Sequence, residues 1–157
     1  MTRWLTREEQ QAWRAFLEAH RLLFERLERQ LQRDAGLAHS DYEVLVRLSE
    51  AAGHRLRMSE LAEAAMSSRS RLSHAVARLE SIGWVRREQC PNDRRGTEAV
   101  LTDAGFDALA AAAPGHVEAV RAALLDAVSS AELVELGRLS TAIVHHLDAN
   151  PDCPSGE

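Results

Sequence analysis

The chain of 157 residues contains no lysine, and all 19 of its basic side chains are arginine. Arginine is the better residue for forked contacts to phosphate and guanine. Long apolar runs are also missing. None approaches the ~20 residues that a membrane-spanning helix needs, so no membrane partner is expected. The segment Met1-Thr2-Arg3-Trp4 lacks the apolar stretch of a secretory signal, and the expected location is cytoplasmic. Cysteine is scarce: Cys90 and Cys153 stand alone, without a CxxC pair. Neither a disulfide framework nor a cysteine zinc site is expected. There is no GxSxG, GxGxxG, P-loop or HExxH, and the acidic residues form no placed pair, so no enzyme and no cofactor is expected. His116, His145 and His146 do not make a metal site. Adjacent residues on a helix point about 100° apart, and no HxxxH or Cys/His cluster accompanies them. Aromatic residues make up only 4% of the chain, against 45% hydrophobic residues overall, which leaves an Ala/Leu-rich, helix-leaning composition.

The net charge of −5 is unevenly spread. Residues 1–53 carry 8 Arg and 9 acids, residues 54–95 carry 9 Arg and 5 acids, and residues 96–157 carry 2 Arg and 10 acids. A basic block of net +4 therefore lies between a near-neutral and an acidic flank. A local basic patch, more than the charge of the whole chain, is the electrostatic footprint of a nucleic-acid binder.

Thr6-Arg7-Glu8-Glu9 is a capping box and predicts a helix from residue 7 to about 33, closed by Gly36. Trp13, Leu17, His20, Phe24, Leu27 and Leu31 recur at steps of four and three along it, the seam of a helix that packs on another helix or chain. Ser40-Asp41-Tyr42-Glu43 predicts a second capping box, opening a helix to about 51 with Tyr42, Leu45, Val46 and Leu48 inward. Residues 56–58 are short and extended at best. Ser59 is expected to cap a third helix over 60–65, and Ser67 or Ser68 a fourth through 82 with Leu72, Ala75, Val76 and Leu79 on one face. Residues 84–89 and 98–101 read as strands joined by a turn-rich loop over 90–97, a β-hairpin with a charged tip. Thr102 caps a further helix that Pro114-Gly115 is expected to kink or break before it resumes to about 128. Ser129-Ser130-Ala131-Glu132 opens the last helix, which ends near 148, and a frayed tail follows.

Three short helices followed by a hairpin make a winged helix-turn-helix pattern. The fold expected is mainly α: a winged helix-turn-helix domain over 37–103 with a two-stranded wing, a dimerisation helix over 1–36, C-terminal dimerisation helices over 104–148, and a flexible tail over 149–157. The helix after Ser68 then presents Arg69, Ser70, Arg71, Ser73, His74 and Arg78 outward, and a helix of this kind fits the major groove of double-stranded DNA. Arg94 and Arg95 suit the adjacent minor groove, with Asp93 orienting a guanidinium.

Asp93-Arg94-Arg95-Gly96, followed by Leu101-Thr102-Asp103-Ala104-Gly105, resembles the wing signature of the MarR family, an Asp-x-Arg, a strand and then Leu-Thr-x-x-Gly. Ser68-Arg69-Ser70, Arg78-Leu79-Glu80 and Gly83-Trp84-Val85 are similar to the family's recognition helix and its exit. The resemblance covers about residues 10–148. It implies a homodimeric DNA-binding transcription regulator, in most members a repressor, whose two winged domains meet a pseudo-palindromic operator. It also implies release by a small phenolic or lipophilic effector bound between the dimer helices and the winged domain. Trp13, Phe16 and His20 are the residues of the first helix that could line such a pocket, although packing explains the aromatic pair and a satisfied interface histidine explains His20. Two alternatives stand beside this reading: oxidant sensing by Cys90, whose neighbours Arg87, Arg94 and Arg95 would favour a thiolate, and a winged helix that docks protein and not DNA. The peroxide-sensing branch of the family carries its thiol near the start of the first helix, where this sequence has none.

Overall fold

Thr6 sets the start of the first helix in the computed structural model, whose described residues are 2–65, 67–90 and 93–149, the side chains of 93–95 excepted. The Thr6 hydroxyl accepts from the Glu9 amide at 3.2 Å, and the Glu9 carboxylate accepts from the Thr6 amide at 2.8 Å. Helix α1 (Arg7–Ala35) follows and ends at Gly36, whose φ of +66° is a left-handed turn that a side chain would disfavour. The next two starts differ from expectation. Helix α2 (His39–Glu50) has Ala38 at its cap position, and Ser40 lies inside the first turn without a capping role. Glu28 of α1 supplies the missing acceptor, taking the His39 amide at 2.7 Å. A tertiary partner has replaced the local one. Strand β1 (Arg55–Arg57) runs straight into helix α3 (Met58–Ala64), so Arg57, not Ser59, sits at the cap position, and Glu60 accepts from its amide at 3.2 Å. Helix α4 (Arg69–Ser81) is capped by Ser68, whose hydroxyl accepts from the Arg71 amide at 3.3 Å.

Strands β2 (Val85–Cys90) and β3 (Asp93–Leu101) pair antiparallel, and β1 joins the far edge of β3 to give the order β1-β3-β2. The wing is thus a hairpin extended by a third, three-residue strand. Its arms are longer than the spacing predicts. Cys90 pairs with Asp93, so residues 93–97 belong to β3 and not to a loop. Pro91 and Asn92, at the predicted tip, lie outside the described residues, as do Cys153 and the predicted tail from 150 onward.

Helix α5 (Asp103–Ala123) starts under Thr102, whose hydroxyl accepts from the Gly105 amide at 3.1 Å and donates to the Gly83 carbonyl at 2.8 Å. The expected break at Pro114 does not occur: the helix runs through it. Proline removes one backbone bond, but Ala112 on one side is buried in the core and His116 on the other lies 3.2 Å from the Gln30 amide oxygen. These contacts hold the chain helical. The helix ends at Ala123, short of 128, and a 3-10 turn (Leu125–Ala127) follows. Helix α6 (Ser130–Ala149) opens on a box in which Glu132 accepts from the Ser129 amide at 2.8 Å.

The chain divides into two units, Met1–Ala119 and Val120–Glu157. In the first, Leu31 of α1, Val44, Leu45 and Leu48 of α2, Leu61 of α3, Leu72, Val76 and Leu79 of α4 and Val85 of β2 are fully buried in one core. Each such leucine contributes about 1.5–3 kcal/mol of burial. In the second unit, α6 has no buried residue. Among the described residues no helix is long and apolar enough to cross a membrane.

Candidate nucleic-acid interface

Helices α3 and α4, joined through residues 65–68, form the helix-turn-helix, and the core decides which side of α4 faces out. Leu72, Ala75, Val76 and Leu79 are buried. Arg69, Ser70, Arg71, Ser73 and His74 are exposed in consequence, as is Ser68 at the cap. The periodicity that packs one face sends the polar residues to the other. Two of the four apolar positions are small or β-branched, which lets α4 lie close on α2.

Arg78 behaves differently from its neighbours on α4. Its Nη2 donates to Asp41 Oδ1 at 2.6 Å and its Nε to Asp41 Oδ2 at 3.2 Å, a forked pair, and Nη2 also reaches the Ser40 hydroxyl at 3.3 Å. The hydrogen bonds to Asp41 raise the arginine pKa further above its ordinary value. Asp41 is buried at the start of α2. The guanidinium predicted to read DNA is therefore engaged in tying the end of α4 to α2. Asp41 is the site residue that sequence reasoning missed. Near a helix N-terminus an aspartate looks like an ordinary first-turn acid, and nothing in the spacing connects it to an arginine 37 positions later.

The wing is tied to the same helix. The Arg87 amide donates to Glu80 Oε1 at 3.2 Å, and its Nη2 donates to the Ser73 carbonyl at 3.0 Å. Between α4 and the hairpin lies a cavity of about 600 Å³ whose lining includes Arg57, Ser59, Arg69, Ser73, Arg87 and Thr97. Three guanidinium groups and three hydroxyls around one cleft suit an anion, a phosphate among them. Arg57 was not singled out from sequence, and Arg87 only as a neighbour of Cys90; their charge was visible but their convergence required the sheet. The backbone of Asp93, Arg94 and Arg95 runs along β3, while their side chains lie outside the described residues.

A second cavity, of about 810 Å³, lies between α1, α2 and α4. Its lining includes His20, Phe24, His39, Glu43, Arg71 and Arg78. Of the residues expected around an effector, His20 is on this wall, whereas Trp13 and Phe16 are not. They stack on each other with centroids 6.1 Å apart, and the row continues from Phe16 to His20 and Phe24. Cys90 is buried at the end of β2, with 5% of its surface exposed, which withholds the thiol from an oxidant in solution. Among the described residues no group of three or more His, Cys, Asp or Glu is arranged to hold a metal.

The sequence model of the MarR family matches residues 37–97. The transcriptional regulator PecS of Dickeya dadantii is 31% identical over 115 residues, which are 73% of this chain and 69% of PecS. The MarR family transcriptional regulator Sco3205 of Streptomyces coelicolor, solved in complex with DNA, is 52% identical. It superimposes with a TM-score of 0.89 over 99% of this chain and 94% of its own. The chain belongs to the MarR family. A second MarR regulator of Streptomyces coelicolor, AbsC, is 49% identical with a TM-score of 0.89, covering 94% of this chain and 99% of that one. These relatives are transcriptional regulators and not enzymes, and so is this MarR protein. The second half of the MarR signature now has a physical reading. Thr102 locks the end of β3 to the turn before β2, and Gly105 lies so close to Trp84 that a Cβ there would stand 2.1 Å from the Trp84 carbonyl oxygen.

Proposed function

We propose that this MarR protein is a homodimeric repressor that binds a pseudo-palindromic operator and leaves it when a small effector binds. The observation that carries the reading is the outward face of α4, a run of exposed Arg, Ser and His on a winged fold that a DNA-bound relative shares. In this reading Ser68, Arg69, Ser70, Arg71, Ser73 and His74 meet the major groove and its phosphates. Arg94 and Arg95, with Asp93, meet the minor groove beside it. Arg78 acts through Asp41, holding α4 at its angle, with its exposed edge left for a phosphate. Residues 37–103 are the winged domain, and 1–36 and 104–148 the helices that join two copies. Support for the dimer comes from the apolar residues that each unit leaves in solvent: Trp13, Phe16, Leu17 and Phe24 on α1, and Val134, Leu139, Ile143 and Leu147 on α6. A lone soluble chain rarely exposes so many.

The cavity between α1, α2 and α4 is the proposed effector site. Phe24 and Val44 offer apolar contact, while His20, His39 and Arg71 offer hydrogen bonds, a lining suited to a small phenolic or lipophilic molecule. An effector seated against both α4 and α1 acts only through its different affinity for the DNA-bound and released forms. The test is fluorescence anisotropy on the DNA upstream of the protein's own gene, at several salt concentrations, with scrambled DNA and Arg95→Ala as controls. Selective binding that weakens with salt and in Arg95→Ala is expected. No binding even at low salt would overturn the reading.

A further inference from the structure

Glu88 of β2 and Glu98 of β3 stand directly opposite each other in the ladder. Like charges in that position oppose strand pairing. Solvent does not relieve them fully, since their side chains keep 35% and 17% of their exposure. Arg55, at the start of β1, reaches across the sheet to both. Its Nη2 lies 3.4 Å from Glu88 Oε2 and its Nη1 3.3 Å from Glu98 Oε2. The alternation of side chains places Arg55, Glu98 and Glu88 on one face of the three strands. Arg86 adds a bond to Glu88 at 2.5 Å, and Arg57 stands opposite Glu98 in the ladder. The Arg86 bond, with the charges of Arg86 and Arg55, holds the Glu88 carboxyl below the usual carboxylate range. Three paired residues of β1 are a short stretch of backbone to fix a hairpin. The side-chain bridge spans all three strands, and Arg55 sits only three residues before the start of α3. It therefore connects the wing to the helix-turn-helix.

We propose that Arg55 is a positioning residue for DNA binding: by bridging Glu88 and Glu98 it holds the hairpin to β1 and sets where the strand bearing Asp93, Arg94 and Arg95 meets the duplex. The inference rests on the DNA-binding reading above. Arg55 need touch no nucleotide for this. Its removal leaves two carboxylates facing each other partway along the wing without the arginine that bridges them, and the hairpin gains freedom that binding must then remove.

The test compares wild type, Arg55→Ala, Arg55→Lys, Glu88→Gln/Glu98→Gln and the triple variant Arg55→Ala/Glu88→Gln/Glu98→Gln. Two quantities are read: amide hydrogen exchange over 85–90 and 93–101 in the DNA-free protein, and affinity for a duplex that the wild type selects from a random-sequence pool. Arg55→Ala is expected to exchange faster in both strands and to bind about fivefold more weakly. The triple variant is expected to return both readouts to within about twofold of the Glu88→Gln/Glu98→Gln pair, which reports the general effect of removing two negative charges near DNA. Arg55→Lys, which keeps the charge and loses the fork, should fall between wild type and Arg55→Ala, and it keeps the test alive should the alanine variant fold poorly. Unchanged exchange and affinity in Arg55→Ala would overturn the proposal, as would a triple variant no better than the single one. A wild type that selects no duplex overturns the DNA-binding reading itself, a result separate from either of these.

Discussion

A methyl group at residue 105 has nowhere to go. The Cβ of Gly105→Ala would sit 2.1 Å from the Trp84 carbonyl oxygen and 2.8 Å from Leu101 Cδ1, and the first of these is backbone that cannot turn aside. Helix α5 would have to move off the hairpin. The expected cost is about 2–4 kcal/mol, read as a lower urea midpoint at fixed protein concentration. The pair of Arg78 and Asp41 makes a second prediction at this scale. Arg78→Ala leaves the buried Asp41 carboxylate without its forked partner. A loss of about 1–3 kcal/mol is expected. Asp41→Asn in the same chain should restore part of it, because the uncharged amide is cheaper to leave without a cation, and a double-mutant cycle from urea melts measures the coupling. If Arg78 served DNA alone, stability would not change.

Between elements, the polar contact that joins α1, α2 and α5 centres on His116. Its ring lies 4.5 Å from Tyr42 and 6.1 Å from His39, and Nδ1 is 3.2 Å from the Gln30 amide oxygen. Burial pushes its pKa below the ordinary histidine value, and the neighbouring His39 adds to the shift, with Glu43 opposing. The unfolded chain therefore takes up this proton first on acidification. The contribution is fully present above about pH 6.5 and is lost as the pH falls from there toward the lower folded value. A plot of melting temperature against pH should fall more steeply below about pH 6.5 in wild type than in His116→Gln, which carries no titrating ring. Parallel curves would show that His116 does not titrate differently in the fold.

At the scale of the molecule the exposed apolar face of α6 makes the prediction. Ile143 and Leu147 lie one turn apart and are 51% and 56% exposed. On the proposed dimer, Ile143→Asp/Leu147→Asp should move the sedimentation coefficient from dimer to monomer while the winged unit keeps its far-ultraviolet helix signal. Affinity for the proposed operator should then drop by at least about tenfold, because the two half-site contacts that the proposed dimer links become independent ones. An unchanged sedimentation coefficient would remove α6 from the dimer interface. The basic block of residues 54–95 predicts in turn that the logarithm of the DNA affinity falls linearly with the logarithm of the salt concentration.

Local chemistry was enough for much of this protein. Thr6 with Glu9 and Gly36 bracket α1, one of Ser67 and Ser68 starts α4, Ser129 with Glu132 starts α6, and the spacing of Leu72, Ala75, Val76 and Leu79 by itself sorts the two faces of α4. These signals work within one or two turns of chain, where the partners are fixed by the helix itself. The rest was decided by residues far apart in sequence. Glu28 took over the capping of α2 from Ser40, β1 moved the start of α3 ahead of Ser59, and contacts on both sides of Pro114 kept α5 unbroken. The same holds in the site: the charge of Arg78 was legible and its engagement with Asp41 was not, and Glu88, Glu98 and Arg55 become a cluster only once three strands are in register. A sequence shows which groups are present and how neighbours along the chain can pair. Which distant group satisfies a buried charge or an open helix end depends on the approach of surfaces that only the packed core brings together.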